Sequence, residues 1–230
     1  MTNRRHGLQT VVYVDGYDLS ADSNNFEPAD TYDDIEVSGY QQRKEHIPGQ
    51  GEGRIAYRGW FNRNANKSHQ VLSARNGTNV NIAASWGNAV GDPGIAGSAA
   101  LMTSYQETAP VAGAVAVSAE FIPDDDAVDW IQTLLPKSAL AAAGAAKNDG
   151  AGSNAGMRAY AHIFEILGGT PAISIEHSVS GTADWASLIA FTAGTVVAGR
   201  SGASTGTVRQ FVRATVANGS ATAFIGYKRL

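Results

Sequence analysis

Few residues in this sequence could carry out covalent chemistry, and they are scattered. Gly202-Ala203-Ser204-Thr205-Gly206 spells G-x-S-x-G, which on a strand-to-helix elbow would present a nucleophilic serine. No helical pattern follows it. The β-branched run 208–216 does, and in a chain this rich in Ser, Gly and Ala such a match arises by chance, so it reads as an exposed hairpin loop. Asp124, Asp125 and Asp126 offer carboxylates to a hard cation but lack the spacing and terminal glutamate of a calcium loop. The same residues head the segment 123–136, where Val128, Ile131 and Leu135 recur at helical spacing, and so they predict a short helix with an acidic N-cap. His6, His46, His69, His162 and His177 contain no H-x-H or H-E-x-x-H pair that would bring two imidazoles to one metal. His162 and His177 sit in strand-like runs that turn Glu165 and Glu176 to the opposite face, which argues against a general-base pair. With no cysteine there is no thiolate, disulfide or sulfur-ligated zinc. The expectation is a non-enzyme with no cofactor, no metal and no catalytic residue.

The composition describes a chain that folds. Of its 230 residues 43% are hydrophobic and 17% charged, against roughly 25% charged in an average soluble protein. There are 38 alanines and 26 glycines, and aromatic residues make up only 8%, so a single thick aromatic core is not expected. Seventeen Lys and Arg against 21 Asp and Glu leave a net charge of −4, which gives no basic footprint for stable nucleic-acid binding. No stretch reaches the roughly 18 apolar residues of a membrane helix. The basic start, residues 1–7, is not followed by the apolar segment of a secretory signal, so neither membrane insertion nor export is expected.

Short apolar or alternating runs broken by Gly, Asn, Asp and Pro predict a mostly β fold, a sandwich or barrel, with the one helix above. Strands are expected at 11–14 and 17–19 around the turn Asp15-Gly16, then at 32–39, 54–61, 79–85, 99–105, 112–121, 157–167 and 172–178. In the run 54–61, Ile55, Tyr57 and Gly59 fall on one face and Arg54, Ala56, Arg58 and Trp60 on the other. The aperiodic polar segments 20–31 and 40–53 read as long exposed loops. Asn218-Gly219, between two alternating runs, reads as a type I′ turn that sets Val216 opposite Ala221, Val212 opposite Ile225, Gln210 opposite Tyr227 and Arg209 opposite Lys228. The Gly/Asn-rich run 148–156 reads as a linker between a domain at 1–147 and a β-sandwich half at 157–230, two parts that could also pack as one.

Gly16-Tyr17-Asp18-Leu19-Ser20, the polar segment to Thr31, Asp33-Asp34-Ile35-Glu36-Val37 and the run ending Gly59-Trp60-Phe61 resemble the opening of tail tube proteins from long-tailed bacteriophages. The part from Tyr160 to Tyr227 looks like the β-sandwich sequences of phage structural proteins. This resemblance implies a virion component, assembled in the host cytoplasm, whose partners are copies of itself in stacked hexameric rings and other virion proteins. DNA would pass through the tube without stable binding. It implies that 32–39 and 53–61 are wall strands and that 20–31 and 40–52 are contact loops. Phe26, Tyr40, Arg43, Lys44, Glu45, His46, Arg54, Arg58 and Trp60 are then the candidate subunit contacts. Two other roles fit the same β architecture: a capsid decoration protein, or a receptor- or carbohydrate-binding tail module.

Overall fold

The computed structural model describes residues 7–38, 44–124, 128–192 and 194–230. After a 3-10 turn at Gly7–Gln9 come β1 (Val11–Val14), β2 (Tyr17–Asp18), β3 (Ser23–Glu36), β4 (His46–Trp60), α1 (Ser68–Ser73), β5 (Asn79–Ser85), β6 (Pro93–Thr108), β7 (Ala116–Ile122), β8 (Asp129–Leu140), β9 (Lys147–Asn148), β10 (Met157–Ser178), β11 (Ala186–Ala190), β12 (Ala198–Ser204) and β13 (Phe211–Arg229). The fold is mostly β, and every strand pairing is antiparallel.

The turn Asp15-Gly16, with φ of 50° and 82°, closes the β1/β2 hairpin as its residue types require. From there the sheet runs β2-β1-β5-β6, and β6 then carries two strands in succession along its other edge. Leu101 to Thr108 pair with β7, which leads on to β4 and β3. Pro93 to Ala96 pair with β8, which leads on to β13 and β10, with β11 and β12 on β10 and β9 on β13.

Burial follows this layout. Val12, Leu19, Ile55, Tyr57, Leu72, Ile82, Met102 and Phe121 form one buried cluster, and Leu134, Met157, Ile163, Ile175, Val212, Ile225 and Tyr227 form another. Tyr13, Ile131, Tyr160 and Phe224 form a smaller third cluster. In β4, Ile55, Tyr57 and Gly59 are buried while Arg54, Arg58 and Trp60 are exposed, the alternation expected of a half-buried strand.

Four expectations are corrected. The segment 123–136 is not a helix, because β8 begins at Asp129. Asp129, Ile131 and Thr133 face in and Trp130 and Gln132 face out, a period of two that the helical spacing of Val128, Ile131 and Leu135 masked. Pro136 is accommodated where the β8/β13 register shifts, a place that does not need its missing N–H. Asp125 and Asp126 lie outside the described residues. The one helix among the described residues is α1, which no periodicity announced.

The segments 20–31 and 40–53 are largely strand, since β3 and β4 pair from Ser23↔Gly59 to Glu36↔His46. Their aperiodic sequence is what a ribbon solvated on both faces permits. Asn218-Gly219 is not a hairpin turn. β13 runs straight through it and pairs along its length with β10, placing Gly169 opposite Gly219, Ile173 opposite Val216, and Lys228 opposite Arg158 instead of Arg209. Finally, Gly202 to Ser204 end β12, antiparallel to the start of β10, and do not form a loop.

Candidate functional site

The surface least explained by folding is the distal half of the β3/β4 ribbon. β7 supports β4 only from Ile55 to Trp60, so beyond Ile55 the two ribbon strands have only each other. Residues 29–37 are all exposed, as are 44–48. The apolar side chains there, Tyr32 (64% exposed), Ile35 and its cross-strand partner Ile47, and Val37, face water. Tyr32 lies over Gly51, whose missing side chain makes room for the ring: a Cβ there would stand 2.8 Å from it. Local polar contacts hold the ribbon in register: Val37 N donates to Glu45 O at 2.8 Å, Glu45 N to Ser38 Oγ at 3.0 Å, and Lys44 Nζ meets Glu36 and His46 Nδ1 meets Asp34, each at 2.8 Å. An isolated two-stranded ribbon is marginally stable in water, and this one has no core of its own.

Its charge is one-sided. Residues 30–52 hold six carboxylates (Asp30, Asp33, Asp34, Glu36, Glu45, Glu52) against Arg43 and Lys44, which leaves −4 with histidine neutral. That equals the formal charge of the whole chain, so the remaining residues balance.

The nine candidate contact residues separate into groups. Tyr40 and Arg43 lie outside the described residues. Lys44, Glu45 and His46 lie together on the distal ribbon. Phe26, nearer the root, packs against the cluster around Tyr57 and Phe121. Arg54, Arg58 and Trp60 stand on the solvent face of β4, where Arg54 pairs with Glu120 of β7. Of these Arg58 lines, with Ser118 and Gln106, an open polar cleft of about 740 Å³.

A second cleft, about 470 Å³, lies where β8, β9 and β13 meet. Trp130, 55% exposed, lines it and stacks on Trp86 with ring centroids 5.9 Å apart. Two carboxylates wrapped in cations are associated with it: Asp149 lines the cleft, and Lys228 on its rim reaches the buried Asp129. Asp129 accepts from Tyr160 Oη and, at 2.8 Å, from Lys228 Nζ, with Arg158 alongside. Asp149 accepts from Lys147 Nζ, from Tyr227 Oη at 2.5 Å and from Arg229 Nε at 2.6 Å. Burial pushes both carboxyls up. The hydrogen bonds and positive charges around them outweigh it and hold both below the usual carboxylate range. Burial and the adjacent carboxylate raise Tyr160 and Tyr227, so neither phenol is prepared to ionise. Nothing in the alternation of β8 signalled this cleft, because its parts come from strands far apart in sequence.

The histidines are separated. His162 is fully buried and its Nδ1 accepts from Gly16 N at 3.2 Å, while His177 Nδ1 accepts from Arg209 N at 3.3 Å. Among the described residues no group of three His, Asp or Glu is placed to hold a metal ion.

No protein-family model matches the sequence, and no curated protein does. Solved structures do. The chain is similar to tail tube and hub proteins. The sheath-tube complex of an extracellular contractile injection system (PVC, extended state) matches at a TM-score of 0.45 and 16% identity, over 56% of this chain and 93% of that one. The SPP1 tail tube matches at 0.43 and 13%, over 55% and 78%. The SPP1 Dit protein, described as a hub adsorption apparatus of phages infecting Gram-positive bacteria, matches at 0.35 and 11%, over 96% and 99%.

Proposed function

We propose that this chain is a virion structural protein, a tail tube subunit whose copies associate into stacked rings around a DNA conduit. The observation that carries the reading is the β3/β4 ribbon. It has fourteen and fifteen residues in its strands, yet its distal half is exposed on both faces and displays Tyr32, Ile35, Val37 and Ile47 to water. A monomer gains nothing from such an element, whereas a protein completed by neighbours gains the ordering of a preformed arm. Residues 16–20, 33–37 and 59–61 carry the sequence resemblance, and they sit at the β1/β2 hairpin, on the arm and at its root.

Negative-stain microscopy of the purified chain tests this directly, with hollow rods as the expected result. The matching variant replaces residues 31–52 by Asn-Gly, a two-residue turn that joins the paired residues Asp30 and Gly53. It is expected to remain folded and monomeric. Rods from this variant, or a parent that stays monomeric at high concentration, would end the assignment; closed rings that never stack would point to a hub instead.

A further inference from the structure

Charges left unpaired within the chain gather at the two ends of β4. At one end is the arm, where Asp30, Asp33, Glu45 and Glu52 have no cation partner among the described residues and Tyr32, Ile35, Val37 and Ile47 are exposed. At the other end β4 stops at Trp60, 48% exposed, where two loops meet. Ser68 Oγ donates to Trp60 O at 2.7 Å, so the loop 61–67 starts and ends beside Trp60. Phe61 N donates to Val115 O at 2.9 Å, which ties the β6/β7 loop 109–115 to the same place. That second loop contains no charged residue, and its Val111 is fully exposed. Arg58 on β4 and Arg63 and Lys67 on the first loop have no carboxylate partner among the described residues, where only Arg200 and Arg209 share that state. The carboxylates nearby are already engaged. Glu120 pairs with Arg54, Glu107 meets His69 and Tyr105, Glu27 takes Asn25, and the buried Asp22 takes Asn62 and the Ser68 N–H.

We propose that the Trp60 end receives the arm of a second copy, head to tail, with the arm's exposed apolar side chains against Trp60 and Val111 and its carboxylates facing Arg58, Arg63 and Lys67. The inference rests on the assembly reading above and names the surface that reading leaves open. The unpaired charges at the two ends are opposite in sign, so they draw the ends together, whereas arm against arm sets like charges side by side. Both ends also hold apolar side chains in water, and the contact buries them. Because the two ends belong to one strand, the contact is heterologous and repeats along the strand direction, which stacks copies instead of closing a pair.

Charge exchange tests the pairing at four exposed positions. Arg58→Glu with Arg63→Glu at the receiving end, and separately Asp30→Lys with Asp33→Lys on the arm, are each expected to raise the concentration needed for assembly about tenfold or more. The chain carrying all four substitutions restores the attraction with its signs exchanged, and it is expected to assemble at a lower concentration than either pair. Circular dichroism identifies any variant that has lost its fold. Should one be lost, thiols decide, since the chain contains no cysteine. Ile35→Cys chains mixed with Val111→Cys chains and oxidised gently are expected to form disulfide-linked dimers, and neither variant alone is. Pairs that assemble like the parent, a fourfold variant no better than the pairs, or thiols that fail to cross-link in the mixture would overturn the docking while leaving the assembly reading intact. Cross-links with Ile35→Cys alone would overturn it in favour of arm-to-arm contact. A parent chain that never assembles would overturn both.

Discussion

His162 shows how one polar residue is held inside this fold. Its ring lies near those of Tyr13 and Phe224, with centroids 5.8 and 6.4 Å away, and its Nδ1 takes the Gly16 N–H, which leaves the ring hydrogen on a buried Nε2 that has no partner. The contact clamps the β1/β2 turn against β10, where a Cβ on Gly16 would lie 2.5 Å from the Ile163 carbonyl oxygen. Burial lowers the imidazole from 6.5 to about 3. The unfolded chain therefore takes up a proton near pH 6.5 that the folded chain refuses until about pH 3, so His162 makes stability fall as pH drops through that interval and has no effect above it. His177, lowered by burial and by Arg209 and Arg229, acts in the same direction. Asp18, Asp129 and Asp149 have lowered values, so their stabilisation is present above the ordinary carboxylate value and lost only as pH falls further. One proton of differential binding corresponds to about 1.4 kcal/mol per pH unit. Urea unfolding midpoints of the parent should accordingly decline between pH 6.5 and 4.5, and His162→Asn should flatten the decline by about 2 kcal/mol over that range. An equally steep decline in the variant would assign the proton uptake to other groups.

At the scale of elements, the long β10/β13 ladder is decided at its middle. Gly168-Gly169 and Asn218-Gly219 face each other across the pair, with φ of 65° at Gly169 and 59° at Asn218. Cβ atoms on Gly169 and Gly219 would each lie 2.3 Å from a carbonyl oxygen of the opposite strand, whereas one on Gly168 would meet nothing closer than Ser220 Oγ at 3.7 Å. Gly169→Ala should therefore cost about 2–4 kcal/mol, combining a left-handed alanine with a backbone clash, while Gly168→Ala should cost under about 1 kcal/mol. Thermal unfolding of the two variants separates them, and equal effects would mean that the ladder does not pass through this crossing. The same residues explain what the sequence could and could not disclose. A type I′ turn and an opposed bulge both need positive φ and a missing Cβ, so Asn218-Gly219 is locally ambiguous, and only the partner strand decides between them. The alternation of 54–61 and the Asp15-Gly16 hairpin were legible because one face of each strand is buried by neighbours close at hand. Of the arm, 32–39 was legible as a strand, while 20–31 and 40–53 read as polar loops, since little in the distal ribbon is buried on either face. The Trp130 cleft was invisible, because Trp130, Lys147, Lys228 and Arg229 meet only after β8, β9 and β13 have assembled.

At the scale of the molecule, the body and the arm divide the work of folding and of contact. The buried clusters draw on β1, β4, α1, β5, β6, β7, β8, β10, β11 and β13, and none includes a residue between 30 and 52. Cutting the arm should therefore leave the stability of the body almost unchanged, since apolar burial is the main term that holds a fold together and the arm contributes none of it. Lys44, whose side chain is 72% exposed, follows Arg43 in the sequence and marks where trypsin can enter. Brief trypsin treatment of the unassembled chain should cleave first at Arg43-Lys44, yielding two fragments that stay associated through the β3/β4 pairing and melt within about 2 °C of the intact chain. In assembled particles the same bonds should resist, because local opening there would also require the arm to leave its neighbour. First cleavage in β8 to β13, or a nicked chain that melts far earlier, would mean that the arm belongs to the core; equal cleavage in both states would mean that assembly leaves it free.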